Sequence, residues 1–180
     1  MNRSTLIRTL ALAAAAAALV LTGAASAATP TVGSAAPAFT LNSGEGAPTS
    51  LADYKGHWVV LYFYPKDFTG GCTLEAHNFQ RDLSKYEAAG ATILGVSVDS
   101  EQSHKDFCAK EGLHFKLLSD PEGKVSAAYD SLKDYEGAKM SARNTFLIDP
   151  QGKVAEAFIG VKPAEHSEEV LAALAKHVKQ

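Results

Sequence analysis

Apolar and polar positions along the chain fall into two rhythms. From Trp58 to Tyr64 seven apolar or aromatic residues run without a polar break. Such a run predicts a strand buried on both faces, as inside a parallel sheet. Pro65 cannot donate to a ladder and ends it, and Asp67, Thr69, Gly70 and Gly71 supply a turn. The period then lengthens: Cys72, Ala76, Phe79, Leu83 and Tyr86 recur at steps of three and four. This predicts an amphipathic helix starting near Cys72 and stopped by Gly90. Ala91 to Val98 reads as a second buried strand, and strand, helix, strand in that order implies a right-handed parallel crossover. Asp99 and Ser100 are N-caps for a helix through about Glu111, closed by Gly112 and carrying Cys108 in its last turns.

Phe115 to Leu118 is brief and apolar, and Ser119-Asp120-Pro121 opens a helix to about Tyr129. Residues 130–142 are polar and uneven, as in a surface loop. Thr145 to Ile148 predicts a third core strand, which turns at Asp149-Pro150-Gln151-Gly152 and returns through Val154 to Ile159 as an antiparallel hairpin. The last helix follows Pro163, with Glu165, Glu168 and Glu169 early and Lys176 and Lys179 late, the order its dipole favours. Val170, Leu171, Leu174 and Val178 form its inner face. Upstream, residues 28–57 are rich in loop formers, with a short hairpin from Ala38 to Leu41 and a piece near Thr49. The alternation predicts an α/β fold, a mixed central sheet flanked by helices.

At 180 residues the chain is long enough for one domain with a substantial core. Its first 27 residues stand apart. Arg3 and Arg8 precede an apolar run from Leu10 to Leu21, then Ala25-Ser26-Ala27. A charged segment, a short apolar segment and a small-x-small site predict a cleaved secretory signal peptide over 1–27, leaving 28–180 as the domain, periplasmic or secreted. Twelve apolar residues, mostly alanine, fall short of the roughly 20 that span a bilayer, so no membrane is expected after processing. Processing takes 17 basic residues to 15 against 20 acidic ones, a formal charge of −5. A mildly acidic surface is unsuited to phosphate backbones, so nucleic acid is not an expected partner.

Cys72 stands in the first turn of a helix, just past the end of a core strand, where open α/β sheets keep their ligand sites. A free cysteine titrates near 8.5, and bringing a thiol below about 7 takes roughly 2 kcal/mol of preference for the anion. A helix N-terminus supplies about 0.3–1 kcal/mol, so a guanidinium is the natural complement. The processed chain has two arginines, Arg81 and Arg143. Arg81 lies about 13.5 Å down the same helix, which leaves Arg143 as the better candidate.

These residues carry a family resemblance. Pro65-x-x-x-Thr69-x-x-Cys72 resembles the peroxiredoxin active-site motif, and Arg143 in Ala-Arg-Asn-Thr-Phe-Leu-Ile-Asp resembles that family's distal arginine. Tyr-Phe-Tyr-Pro-Lys-Asp-x-Thr-x-Gly-Cys-Thr-x-Glu is similar to the bacterioferritin-comigratory-protein, or PrxQ, branch. The likeness runs from about Val32, with Val-Gly-x-x-Ala-Pro-x-Phe at its start, to the C-terminus. It implies a thioredoxin-like fold of the peroxiredoxin type and a thiol peroxidase that reduces hydrogen peroxide and organic hydroperoxides. Cys72 would be the nucleophile, Thr69, Arg143 and the backbone N–H groups near Gly71 the donors to the peroxide, and Pro65 the shield of the sulfur. No cofactor and no metal is implied. The implied partners are the peroxide and a reductant, a dithiol protein of thioredoxin type or a small thiol.

Two departures from the branch stand out. Gly70 replaces a frequent proline, and His77 stands five residues after Cys72, where many members carry their resolving cysteine. The separation of Cys72 and Cys108 resembles instead variants whose resolving cysteine sits on the next helix, so the resemblance makes Cys108 the resolving residue. A monomer or small dimer fits such an internal disulfide. Two cysteines on separate intact helices imply local unwinding before they join.

Other readings stay open. Two cysteines in an exported chain also suit a static disulfide in a non-catalytic domain, closing a loop of about 37 residues for roughly 3.8 kcal/mol. A thiol–disulfide exchange protein is disfavoured, because there is no Cys-x-x-Cys. Thr69 also reads as a helix cap. Glu75 reads as a solvated helix residue without a catalytic role. His57, His104, His114, His166 and His177 lack metal-ligand spacing and read as solvated surface residues.

Overall fold

The computed structural model describes residues 28–178; the expected signal peptide lies outside them. The strands are β1 (Thr40–Ser43), β2 (Pro48–Ser50), β3 (Trp58–Phe63), β4 (Ala91–Ser97), β5 (Lys116–Ser119), β6 (Leu132–Tyr135), β7 (Ala138–Ser141), β8 (Asn144–Ile148) and β9 (Val154–Ile159). The helices are α1 (Gly70–Ala88), α2 (Glu101–Glu111), α3 (Lys124–Ala128) and α4 (His166–Val178). Seven strands form one mixed sheet in the order β2-β1-β5-β4-β3-β8-β9. β3, β4 and β5 run parallel, and β8 and β9 add antiparallel strands on the other side of β3.

The unbroken apolar run of β3 is explained by its two covered faces. Val60, Tyr62 and Tyr64 point into a core beneath α1, α2 and α4, with Phe79, Phe107, Val170 and Leu174. Val59, Leu61 and Phe63 enter a second core with Phe39, Tyr129 and Phe146. A strand with both faces dry has no use for alternation. The register between β3 and β8 pairs Phe63 with Asn144. Arg143 is therefore delivered to the end of β3, where the chain turns into α1.

Several expectations need correction. Residues 130–142 contain the β6–β7 hairpin rather than a plain loop. Its strands are largely exposed, so no apolar alternation marks them; the turn at Glu136-Gly137, with φ of 55° and 89°, is the local signature. α3 is five residues long, its entry set by the buried Asp120 carboxylate, which accepts the Ser126 N–H at 2.7 Å. Val178 is exposed rather than on the inner face of α4.

His104 and His166, expected at the surface, are both fully buried. His166 lies 2.8 Å from the Thr145 hydroxyl through Nε2, between the rings of Phe79 and Phe158, and burial pushes its pKa down. Both histidines are accommodated because a polar partner is buried with each ring.

Candidate active site

Cys72 is the third residue of α1 and is 1% exposed. Thr69 is the N-cap in extended conformation, yet its hydroxyl makes no cap hydrogen bond. It donates instead to the Lys66 carbonyl at 2.9 Å; the donor role expected of Thr69 is therefore corrected, its proton being committed and its oxygen left as an acceptor. Pro65, half-buried, lies at the end of β3 and shares with Arg143 the lining of an open cavity of about 400 Å³.

Arg143 meets Cys72 directly: its Nη2 donates to the Cys72 sulfur at 3.2 Å, and its Nη1 donates to Glu75 Oε2 at 2.7 Å. The backbone that presents it is fixed on both sides. The Val161 N–H donates to the Arg143 carbonyl at 3.0 Å, while the Asn144 side chain donates to Ser131 and accepts from the Gly160 N–H. Gly71 leaves room for the guanidinium, since a Cβ there would sit 2.8 Å from Nη2. Arg81, as expected from its distance down the helix, is engaged elsewhere, with Asp82 and Glu168.

Glu75, expected in solvent, is instead 1% exposed and locked to Arg143. Burial outweighs the attraction of Arg143 and raises its pKa to about 7. Its Oε1 has no hydrogen-bond partner among the described residues. The stripe Cys72, Glu75, Ala76, Phe79, with steps of three and four, places it on the inward face beside the cysteine.

A thiol in the first turn of a helix is thus touched by a half-buried cation that directly precedes a neighbouring strand. Residues 32–157 match the AhpC/TSA family. The chain belongs to that family. It is a peroxiredoxin of the Bcp/PrxQ branch and a thiol peroxidase. It is similar to peroxiredoxin Bcp of Xanthomonas campestris pv. campestris, with 46% identity over 144 residues, covering 78% of this chain and 90% of the relative. Among solved structures it resembles a cysteine-to-serine mutant of Xylella fastidiosa PrxQ, with a TM-score of 0.79 and 38% identity over 83% of this chain and 98% of that one. It also resembles trapped intermediate and ligand complexes of the Xanthomonas campestris bacterioferritin comigratory protein, studied for alkyl peroxide reduction. There the TM-score is 0.74 and the identity 43%, over 78% of this chain and 92% of that one. The thioredoxin-like peroxiredoxin fold expected from the motifs is the fold observed.

In this peroxiredoxin the second cysteine, Cys108, lies near the end of α2, half-buried. Both cysteines are free thiols on intact helices. Burial first, then the carboxylates of Asp67 and Glu45, push the Cys108 thiol up to about 11. Seated in α2, Cys108 is therefore a protonated thiol at neutral pH. It lines a cavity of about 430 Å³ with Lys105, His114, Lys116 and Glu45 at its rim and Leu113 and Leu117 in its wall. On the same side of the sheet as Cys72 stands Tyr62, whose buried hydroxyl has no hydrogen-bond partner among the described residues and whose ionisation is suppressed by burial.

Proposed function

We propose that Cys72 is the peroxidatic nucleophile. The observation that carries this is the 3.2 Å hydrogen bond from Arg143 Nη2 to the Cys72 sulfur in the first turn of α1. The thiolate attacks the terminal oxygen of a hydroperoxide, the O–O bond breaks, and the leaving oxygen takes a proton to become water or an alcohol. Negative charge moves from sulfur to the leaving oxygen. Arg143 and the N–H groups at the start of α1 are fixed donors for both ends of that displacement. Pro65 shields the sulfur, and Thr69, with its own proton on the Lys66 carbonyl, accepts a hydrogen bond from the hydroxyl of the incoming peroxide.

Cys108 resolves the sulfenic acid. Its sulfur attacks Cys72, the S–OH bond breaks, and water leaves with the Cys108 proton. The substrates are hydrogen peroxide and organic hydroperoxides, the latter supported by the likeness to the Xanthomonas protein. The reductant is a dithiol protein of thioredoxin type or a small thiol, reaching the Cys108 sulfur through the cavity it lines. Residues 1–27 direct export and are removed, so the enzyme works in the periplasm or outside the cell.

Stopped-flow mixing of the reduced enzyme with hydrogen peroxide tests this. Fast oxidation must vanish in Cys72→Ser; in Cys108→Ser a sulfenic acid must accumulate and over-oxidise with repeated doses. Persistence of fast oxidation in Cys72→Ser would refute the assignment. Mass spectrometry of the exported protein should find its N-terminus at Ala28.

A further inference from the structure

The loop that leads to Cys72 is fastened to the helix that carries Cys108, and the fastening is mostly buried. Asp67, in the turn after β3, is 3% exposed. Its Oδ1 accepts from the Tyr64 hydroxyl at 2.7 Å, and its Oδ2 accepts from the Ser103 hydroxyl at 2.7 Å and lies 2.9 Å from His104 Nδ1. The Asp67 N–H donates to Asp99 Oδ2 at 2.9 Å, and Asp99 in turn accepts from Ser97. His104 is fully buried, and its Nε2 has no hydrogen-bond partner among the described residues. Behind it Gly44 packs so closely that a Cβ there would approach Lys105 N to 2.8 Å, so α2 is gripped from the side of β1 as well.

The next residue, Phe68, holds the outside of the same helix. With φ of 60° it swings its ring onto Phe107, with centroids 5.0 Å apart, and beneath Lys110, whose Nζ lies 5.3 Å from the ring centre. His77 of α1 reaches Glu111 at 3.0 Å. The contacts at 103, 104, 107, 110 and 111 bracket Cys108, and His104 stands one helical turn before it. The two cysteines are free thiols on separate intact helices, and burial keeps the seated Cys108 protonated.

We propose that His104, through its hydrogen bond to Asp67, is a positioning residue that restrains disulfide formation. The Asp67–His104 clasp holds α2 against the Cys72 loop, and the frequency with which it opens sets the rate at which Cys108 reaches a Cys72 sulfenic acid. The clasp thereby decides between two fates of that sulfenic acid: attack by the Cys108 sulfur with loss of water, or attack on a second peroxide molecule to give sulfinic acid. The inference rests on the assignment of Cys72 and Cys108 given above. Phe68 and His77 are outer, solvent-exposed contacts and weaker holds than the buried carboxylate.

The test separates the two chemical steps. His104→Phe keeps an aromatic ring in the pocket and deletes the bond to Asp67, which retains its Tyr64 and Ser103 donors. The expected result is a peroxide oxidation rate within about twofold of wild type and disulfide formation faster by about tenfold or more, the weight of one buried charge-assisted hydrogen bond. Resistance to over-oxidation should rise with it, and amides 105–111 should exchange faster while those of β3 do not.

Phe68→Ala, on the surface and safe for folding, should show the same pattern at about two- to threefold. Equal disulfide-formation rates in wild type and both variants, or acceleration of both chemical steps together, would overturn the proposal. If wild type forms no Cys72–Cys108 disulfide at all while Cys72 still oxidises, it is the resolving role of Cys108 that has failed, and the clasp loses its function with it.

Discussion

Replacing Glu75 with glutamine removes a buried charge while keeping an oxygen within reach of Arg143. The carboxyl of Glu75 titrates near 7 in the folded protein against an ordinary value of 4.5, because burial outweighs the guanidinium. Below pH 4.5 the folded and unfolded chains both hold the proton, and the group is neutral for stability. As pH rises, the unfolded chain ionises first, so stability falls until the folded carboxyl also ionises near 7. Above that pH the deficit is constant, and at 1.36 kcal/mol per unit it comes to about 3 kcal/mol. Glu75→Gln should therefore match wild type near pH 4.5 and exceed its stability by up to about 3 kcal/mol at pH 8. Urea titrations followed by far-UV circular dichroism at half-unit steps measure both curves, and their difference isolates Glu75 from every other titrating group. A difference that stays flat between pH 5 and 8 would refute the reasoning, as would one that favours wild type at pH 8. A flat difference would mean that the ion pair with Arg143 offsets the cost of burial, and one favouring wild type that it outweighs that cost.

Three further outcomes are expected. Gly71→Ala should leave thermal stability nearly unchanged, because the flexible end of Arg143 can move aside, yet cut the rate of Cys72 oxidation about tenfold or more in stopped-flow assays. Arg143→Met should lower that rate by about 10²–10³-fold, the usual cost of deleting a donor aimed at developing charge, with far-UV spectra preserved. In Cys72→Ser, alkylation of Cys108 by iodoacetamide at pH 7.5 should run about a hundredfold or more slower than that of a free thiol, recovering when α2 is unfolded in denaturant; mass spectrometry of the adduct reads it out.

Much of this architecture was legible because it repeats. The run through Trp58 to Tyr64 and the three- and four-residue steps from Cys72 onward each report a large buried surface many times over, so strand and helix could be placed within a few residues. Arg143 was found by elimination and by its motif, and the β3–β8 register explains why it arrives where it does. Residues buried singly left no such trace. His104 and Asp67 look like polar surface residues until the turn and α2 are brought together in space, and a hydrogen-bonded pair can hide where a lone charge could not. Glu75 was within reach: its spacing from Cys72 put it on the inward face, and only the habit of assigning glutamate to solvent obscured it. The β6–β7 ribbon was illegible for the opposite reason, since it buries little and its amino acids obey solvent rather than a core.

The union of β8 with β3 has a consequence for any attempt to redesign this protein. The guanidinium reaches the sulfur only because one strand is hydrogen-bonded to another in a fixed alignment, Phe63 facing Asn144. Sliding β8 by a single residue would reverse which of its side chains point toward each layer of helices. An insertion or deletion between Asn144 and Ile148 could therefore yield a sheet with every strand in place whose sulfur has lost its counter-charge. The alignment of two ribbons acts here as a tolerance gauge, and one notch is enough to disarm the chemistry.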